Sequence, residues 1–373
     1  MRKVHLSFPV SKFAVLLLFT LLFLTPKAYA AVDSVSTLSS LQSKVDSAMH
    51  ERKTSYQIVY KGNISTLQQD ISNIINKIYN ADDYLRYTSK GYYYSYKYSS
   101  NMATITFTFN YWNTAQQEKT VNTKVTAILN QIIKPGMNNF EKEKVIHDWI
   151  EKHVAYDTSY SKYSAYDALV SPYKTVCQGY ALLSYKMLNQ AGIKTRIIEG
   201  TAGGQSHAWN LVNLDGVWYH FDATWDDPLP DVAGRVTYDY YNLTDAQIKR
   251  DHSWVKTYPA ATTDFYNTLN KKLVTDPAKA SVYRGLLTAL DLNLLSKKYT
   301  ANNRDELAAM MKEAIKNKQS TIHIRYMNRS TLLNDIATAI KGIPNLSYYS
   351  YSYSDYKRTS NITNDVVLNV SFR

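Results

Sequence analysis

The stretch HAWNLVNLDGVWYHFDAT, residues 207–224, consists of two strand-forming runs joined by Asp215-Gly216. Asp-Gly between such runs is the strongest short hairpin signal, because a type I′ turn needs φ > 0 at both central residues. A two-residue loop sets Leu214 opposite Val217, and the continued register sets Trp209 opposite Asp222. Directly opposed residues share a sheet face, and so do residues two apart along a strand. One face therefore collects Ala208, Val212, Leu214, Val217, Tyr219, Phe221 and Ala223, and reads as core. The other presents His207, Trp209, Trp218, His220 and Asp222. His207 lies diagonal to Asp222, at a Cβ separation of about 7 Å that two side chains can bridge. His220 pairs with Leu211, farther from the strand end that His207 occupies, while Asp226 and Asp227 read as turn residues before Pro228.

An imidazole oriented by a carboxylate is half of a nucleophilic device, and the other half is the single cysteine of the chain. Cys177 stands in TVCQGYALLSYKML, residues 175–188, at the first turn of an expected helix. Ser171-Pro172 breaks what precedes it, Thr175 can cap, and Ala181, Leu182, Tyr185 and Leu188 make one apolar face. Gly192 closes the helix as a C′ glycine. A cysteine there faces unpaired N–H groups and the positive dipole end, a setting in which thiols act as nucleophiles. The competing reading is a small buried hydrophobe. One cysteine with scattered histidines lacks zinc-ligand spacing, and Asp226-Asp227 is too short for a calcium loop, so no metal and no cofactor is expected.

The first thirty residues carry Arg2, Lys3 and Lys12, an apolar run from Phe13 to Leu24 and the ending Ala28-Tyr29-Ala30. That pattern is a secretory signal peptide, expected to be cut after Ala30 to leave a secreted chain. The apolar run is short of the ~20 residues that span a bilayer. A single cysteine cannot pair within its own chain, so the fold rests on an ordinary core rather than on disulfides. The 373 residues carry a formal charge of +12, of which the leader holds four basic side chains and no acidic one. The remaining excess suits a polyanionic surface such as a cell wall, and without a nucleic-acid motif it does not point to nucleic acid.

Two stretches of the chain read alike. STLQQDISNIINKI, following SYQIVYKG, parallels STLLNDIATAIKGI, following STIHIRYMN, and tyrosine-rich strands follow each. Both read as an α-β-α-β-β module, at residues 31–113 and 300–373. Between them lies an α+β unit, residues 114–258, whose helix NNFEKEKVIHDWIEKHV is expected to turn Val145, Trp149 and Ile150 to one side. Residues 259–299 read as a linker, the stretch from Pro259 to Ala280 being polar and carrying two prolines. Tyr92, Tyr94, Tyr96 and Tyr98, at period two, could make an aromatic binding face, but tyrosine is a good strand former found throughout the chain and packing is the simpler reading.

Taken together, VCQGYA, GGQSHAWNLV and GVWYHFDATWDDP resemble the transglutaminase-like superfamily, in the branch found in many secreted bacterial proteins. The resemblance covers roughly residues 137 to 254 and leaves the flanking modules outside. It implies a papain-like core, with Cys177 as nucleophile, His207 as general base and Asp222 as its orienting acid. Family members also use an oxyanion stabiliser, for which Tyr156 or Tyr166 are candidates beside the backbone N–H of Cys177. The chemistry implied is acyl transfer on amides of a protein or peptide substrate through a thioester, resolved by an amine in crosslinking or by water in deamidation, proteolysis or amide hydrolysis. Trp209, Trp225 and Gln178 are expected to wall the substrate site, with Trp218 read as core. A scaffold protein that binds through its twin modules and performs no chemistry is the contrasting expectation.

Overall fold

The computed structural model describes residues 32–99, 101–343, 346, 348–359 and 364–372. The expected signal peptide lies outside them. No helix among the described residues is long and apolar enough to cross a membrane.

The hairpin forms the centre of a five-stranded antiparallel sheet. Strands Gln205–Leu214 and Val217–Phe221 pair with Leu214 opposite Val217, and Asp215 and Gly216 both take positive φ, as the type I′ turn demands. The full order is Tyr241–Leu243, Val217–Phe221, Gln205–Leu214, Thr195–Ala202, His252–Trp254. Helices Ala115–Ile132, Asn139–His153 and Cys177–Gln190 cover one face, where Val121, Ile146, Leu182, Val212, Tyr219 and Phe221 enter a common core. The other face, which carries His207, Trp209 and His220, is buried as well. Trp209 and Leu211 pack there with Ile198, Tyr240, Leu243 and Ile248, so the sheet is sandwiched rather than half wet.

Two local expectations are corrected. Helix Asn139–His153 buries Phe140, Glu143, Ile146, His147, Ile150 and Glu151, while Val145 and Trp149 are only partly covered. Its buried face carries three ionisable groups, which hide it from an apolar-periodicity search. Residues 259–299 are no linker: helices Phe265–Thr275 and Ala280–Ala289 insert Phe265, Leu269, Tyr283, Leu286 and Leu287 into the central core. Pro277 opens a short 3-10 turn between them, so a residue that looked like a loop marker is a helix starter.

The flanking sheets share one layout. In the first, strands Asp33–Val35, Ser55–Tyr60, Ser89–Ser99 and Met102–Tyr111 are ordered first, second, fourth, third; Thr300–Ala301, Thr321–Tyr326, Tyr349–Asp355 and Val366–Phe372 are ordered likewise. In each the short leading strand is parallel to the second and the rest are antiparallel. These leading strands, three and two residues long, are too brief to give a sequence period. Tyr92, Tyr94 and Tyr96 lie in a row with ring centroids 6.2–6.4 Å apart, partly buried on the first core, and Tyr98 is exposed.

Candidate functional site

The helix Cys177–Gln190 begins at the cysteine itself. Its N-cap is Val176, which offers no side-chain cap. Thr175, the expected cap, instead donates its hydroxyl to the Lys162 carbonyl at 3.1 Å and is fully buried. Gly179 lets the first helical turn sit on that threonine, since a Cβ there would fall 1.8 Å from Thr175 Oγ1. Thr175 is pinned and cannot yield, so Gly179→Ala is expected to lower stability by about 1–3 kcal/mol and to displace Cys177. A urea-unfolding midpoint unchanged from wild type would refute this.

His207 comes from the hairpin strand and Asp222 from just past its partner strand. Pairing ends at Asn210 and Phe221, because Asp222 turns out of the sheet to cap the short helix Ala223–Asp226. Its Oδ1 accepts the N–H groups of Thr224 at 3.0 Å and Trp225 at 3.3 Å. Its Oδ2 accepts from His207 Nε2 at 2.7 Å. A carboxylate only accepts, so Nε2 of His207 carries a proton and Nδ1 is the nitrogen left for Cys177, which lines the same cleft. Burial works against the imidazolium of His207, but the charge of Asp222 and its hydrogen bond outweigh burial and push the pKa up to about 10. Burial alone would raise Asp222; the His207 charge and the donors of His207 and His252 hold it well below the usual carboxylate range.

Cys177 is partly exposed and opens, with His207, onto a cleft of about 480 Å³. Tyr156, Ala202, Gly203, Trp225, Leu229 and Tyr240 contribute to its walls. Tyr156 sits in the short strand paired with Lys174–Thr175, immediately before the cysteine. Burial and the neighbouring thiol raise its hydroxyl to about 12, so it remains a proton donor facing the nucleophile.

The other expected site residues separate. Tyr166 lies in the helix Ala165–Leu169, packed against the central core, and does not line the cleft. Of the expected wall residues only Trp225 takes that place. Trp209 is 1 % exposed and stacks behind His207, centroids 5.7 Å apart. Gln178 points to the first module, donating to the Tyr87 carbonyl at 3.0 Å. His220 is held away from the thiol: its Nδ1 accepts from Trp209 Nε1 at 2.9 Å and its Nε2 donates to Asp245 at 2.8 Å. Asp226 is no turn residue but a buried partner of His147 at 3.0 Å, and Asp227 accepts from the Tyr180 hydroxyl at 2.6 Å. Trp218 is partly buried against the same second layer that covers Trp209 and does not line the cleft.

His252 is the group the sequence concealed. Its Nε2 reaches Asp222 Oδ2 at 3.0 Å and its Nδ1 reaches Asp251 Oδ1 at 2.6 Å. His207, Asp222 and His252 offer atoms within 4.8 Å of one another, the kind of set a metal takes. Ligand atoms around a tetrahedral zinc stand about 3.3 Å apart, whereas these nitrogens touch the carboxylate oxygen at hydrogen-bond distance, so protons fill the space between them.

Residues 126–223, which include all three of Cys177, His207 and Asp222, match the family model of the transglutaminase-like superfamily. The chain is also similar to kyphoscoliosis peptidase of Mus musculus, 27% identical over 157 residues, covering 36% of this chain and 24% of that protein. The Homo sapiens protein of that name is 27% identical over 146 residues, covering 34% and 22%. The chain thus spans about a quarter of the length of the curated relatives it matches. A crystal structure of a TGase aligns with 48% of this chain and 53% of its own, at 14% identity and a TM-score of 0.27. The central part of the chain is a transglutaminase-like core.

Proposed function

We propose that this transglutaminase-like core is a cysteine-dependent acyl-transfer enzyme acting on amide bonds of a protein or peptide, with water as the principal acceptor. The reading is carried by one observation: Cys177 and His207 line the same cleft, and His207 Nε2 is hydrogen-bonded to the buried Asp222 at 2.7 Å, which leaves Nδ1 for the thiol. In this reading His207 holds the proton of Cys177, and the thiolate attacks the amide carbon. His207 then gives that proton to the leaving nitrogen as the thioester forms, and Asp222 keeps the ring in its tautomer throughout. The backbone N–H of Cys177, at the helix start, and the Tyr156 hydroxyl, which lines the same cleft, would stabilise the carbonyl oxygen as it gains charge.

Water is favoured over an amine by what surrounds the thiol. An acceptor site for a lysine amine has to keep water from the thioester. Here the cleft is open, Trp209 is buried behind His207 instead of walling it, and Leu229 at the rim is exposed. Incubation with a glutamine-containing peptide and a labelled primary amine tests the assignment. Ammonia release or peptide cleavage that is lost in Cys177→Ala, with little amine incorporated, is the expected result. Dominant amine incorporation would make the protein a crosslinking enzyme, and no Cys177-dependent product with any amide would leave the scaffold reading.

A further inference from the structure

We infer that His252 is a positioning residue for this site: held charged between two carboxylates, it shares Asp222 with His207 and sets how tightly His207 holds its proton. The inference rests on the assignment of Cys177, His207 and Asp222 as the reacting set. Both nitrogens of His252 meet carboxylate oxygens, Asp251 Oδ1 at 2.6 Å and Asp222 Oδ2 at 3.0 Å. Carboxylates offer no proton in these contacts, so both nitrogens must donate and the ring is an imidazolium. The same Asp222 oxygen therefore receives two imidazole N–H groups, while Oδ1 receives two backbone N–H groups. That is a saturated carboxylate, fixed in position and in charge.

The sheet is built to allow this. His252 opens the edge strand His252–Trp254, which pairs with Thr195–Ala202. A Cβ on Gly200 would fall 2.0 Å from the Ser253 carbonyl oxygen and 2.9 Å from the Trp209 ring, so only glycine lets the edge strand close on its neighbour. The His252 ring is then enclosed by Trp209, Trp225 and Tyr240, with centroids 5.1, 4.8 and 5.4 Å away. The charged and titratable groups that face it are Asp222, Asp251 and His207, with His220 beyond Trp209 and the Tyr240 hydroxyl donating to Asp251 at 2.5 Å. Arg250 stands behind Asp251, with Nε 3.4 Å from it. Burial opposes the His252 charge and the two carboxylates restore it, which raises its proton affinity.

The consequence for the reaction is electrostatic. The His207 and His252 rings are 5.5 Å apart, so a fixed charge on His252 weakens the hold of His207 on its proton and favours an ionised thiol across from it. His252 lies outside the matched core segment, at residues 126–223, so the rest of the chain supplies this group.

The test is the rate of Cys177 alkylation by iodoacetamide as a function of pH in the full chain, for wild type, His252→Gln, Asp251→Asn and His207→Ala. Glutamine keeps a donor toward Asp222 and removes the charge. Both limbs of the profile are expected to move upward by about one pH unit in His252→Gln, so that labelling on the acidic limb falls about tenfold. Asp251→Asn removes one of the two carboxylates that hold the His252 charge, so the pH at which His252 loses its proton is expected to fall in an NMR titration. A lower amplitude with unmoved limbs, the signature of a purely structural role, overturns the inference. So does an NMR titration of histidine-labelled protein that finds His252 neutral at pH 7. If His252→Gln does not fold, His252→Asn, which also removes the charge, decides by the same criterion. A His207→Ala profile identical to wild type would show instead that the reacting set itself is wrongly assigned, and the inference would fall with it.

Discussion

His207→Ala is expected to lower amide turnover by about a thousandfold or more while the protein stays folded. The loss follows from the position of the ring, which lines the cleft beside the thiol and is bonded to the buried carboxylate. The fold should survive because Asp222 keeps three donors, the N–H groups of Thr224 and Trp225 and His252 Nε2. Asp222→Ala is different in kind. It strips the cap from the helix Ala223–Asp226 and leaves two buried imidazoles without their shared acceptor, so activity and melting midpoint should fall together. Asp222→Asn preserves the capping oxygen and separates the two effects. If activity were lost in Asp227→Ala but kept in Asp222→Ala, the assignment of the orienting acid would be wrong, since Asp227 bonds Tyr180 rather than His207.

Glu151→Gln is expected to stabilise the protein, and more so as pH rises. Glu151 is 4 % exposed and neither carboxyl oxygen has a hydrogen-bond partner among the described residues. Burial pushes its pKa up to about 9; His147 pulls the other way and the charges of Asp226, Asp227 and Asp222 add to the rise. The folded state therefore binds this proton where the unfolded chain has released it. Its contribution is fully present below the unfolded value near 4.5 and is lost as pH climbs toward 9. Glutamine resembles the protonated acid and does not titrate. The variant should exceed wild type by under about 1 kcal/mol at pH 5 and by something on the order of 4 kcal/mol at pH 8. Paired urea titrations at the two pH values measure this difference directly. A gap that stays constant between them would mean that Glu151 is ionised in the folded protein.

Some of this site was legible because short-range chemistry writes it into neighbouring residues. Asp215-Gly216 demands one turn, that turn sets Leu214 against Val217, and the alternation along both strands separates His207 and Asp222 from the core row of Val212, Tyr219 and Phe221. Cys177 at a helix start, with Gly192 past its end, is equally local. Residues whose role depends on what packs over them were read less well. Trp209 looked like a substrate wall because its strand position faces the His207 side, but a second layer containing Tyr240, Leu243 and Ile248 covers it. Asp226 looked like a turn residue because nothing nearby in sequence pairs with it; its partner, His147, is 79 positions upstream. The stretch from Pro259 to Ala280 looked polar because it contributes few core side chains, although Phe265 and Leu269 among them are buried.

The sequence by itself determined the hairpin, its register and the row that carries His207 and Asp222, because strand alternation and turn stereochemistry act over a few residues. Only the tertiary structure decided that Asp222 leaves the sheet to become a cap, that both sheet faces are buried, and that His252 arrives from an edge strand 30 residues later to share the same carboxylate oxygen. Sheet order and layer packing bring together groups with no common period or spacing. Burial then turns their contacts into fixed charges that no local pattern records.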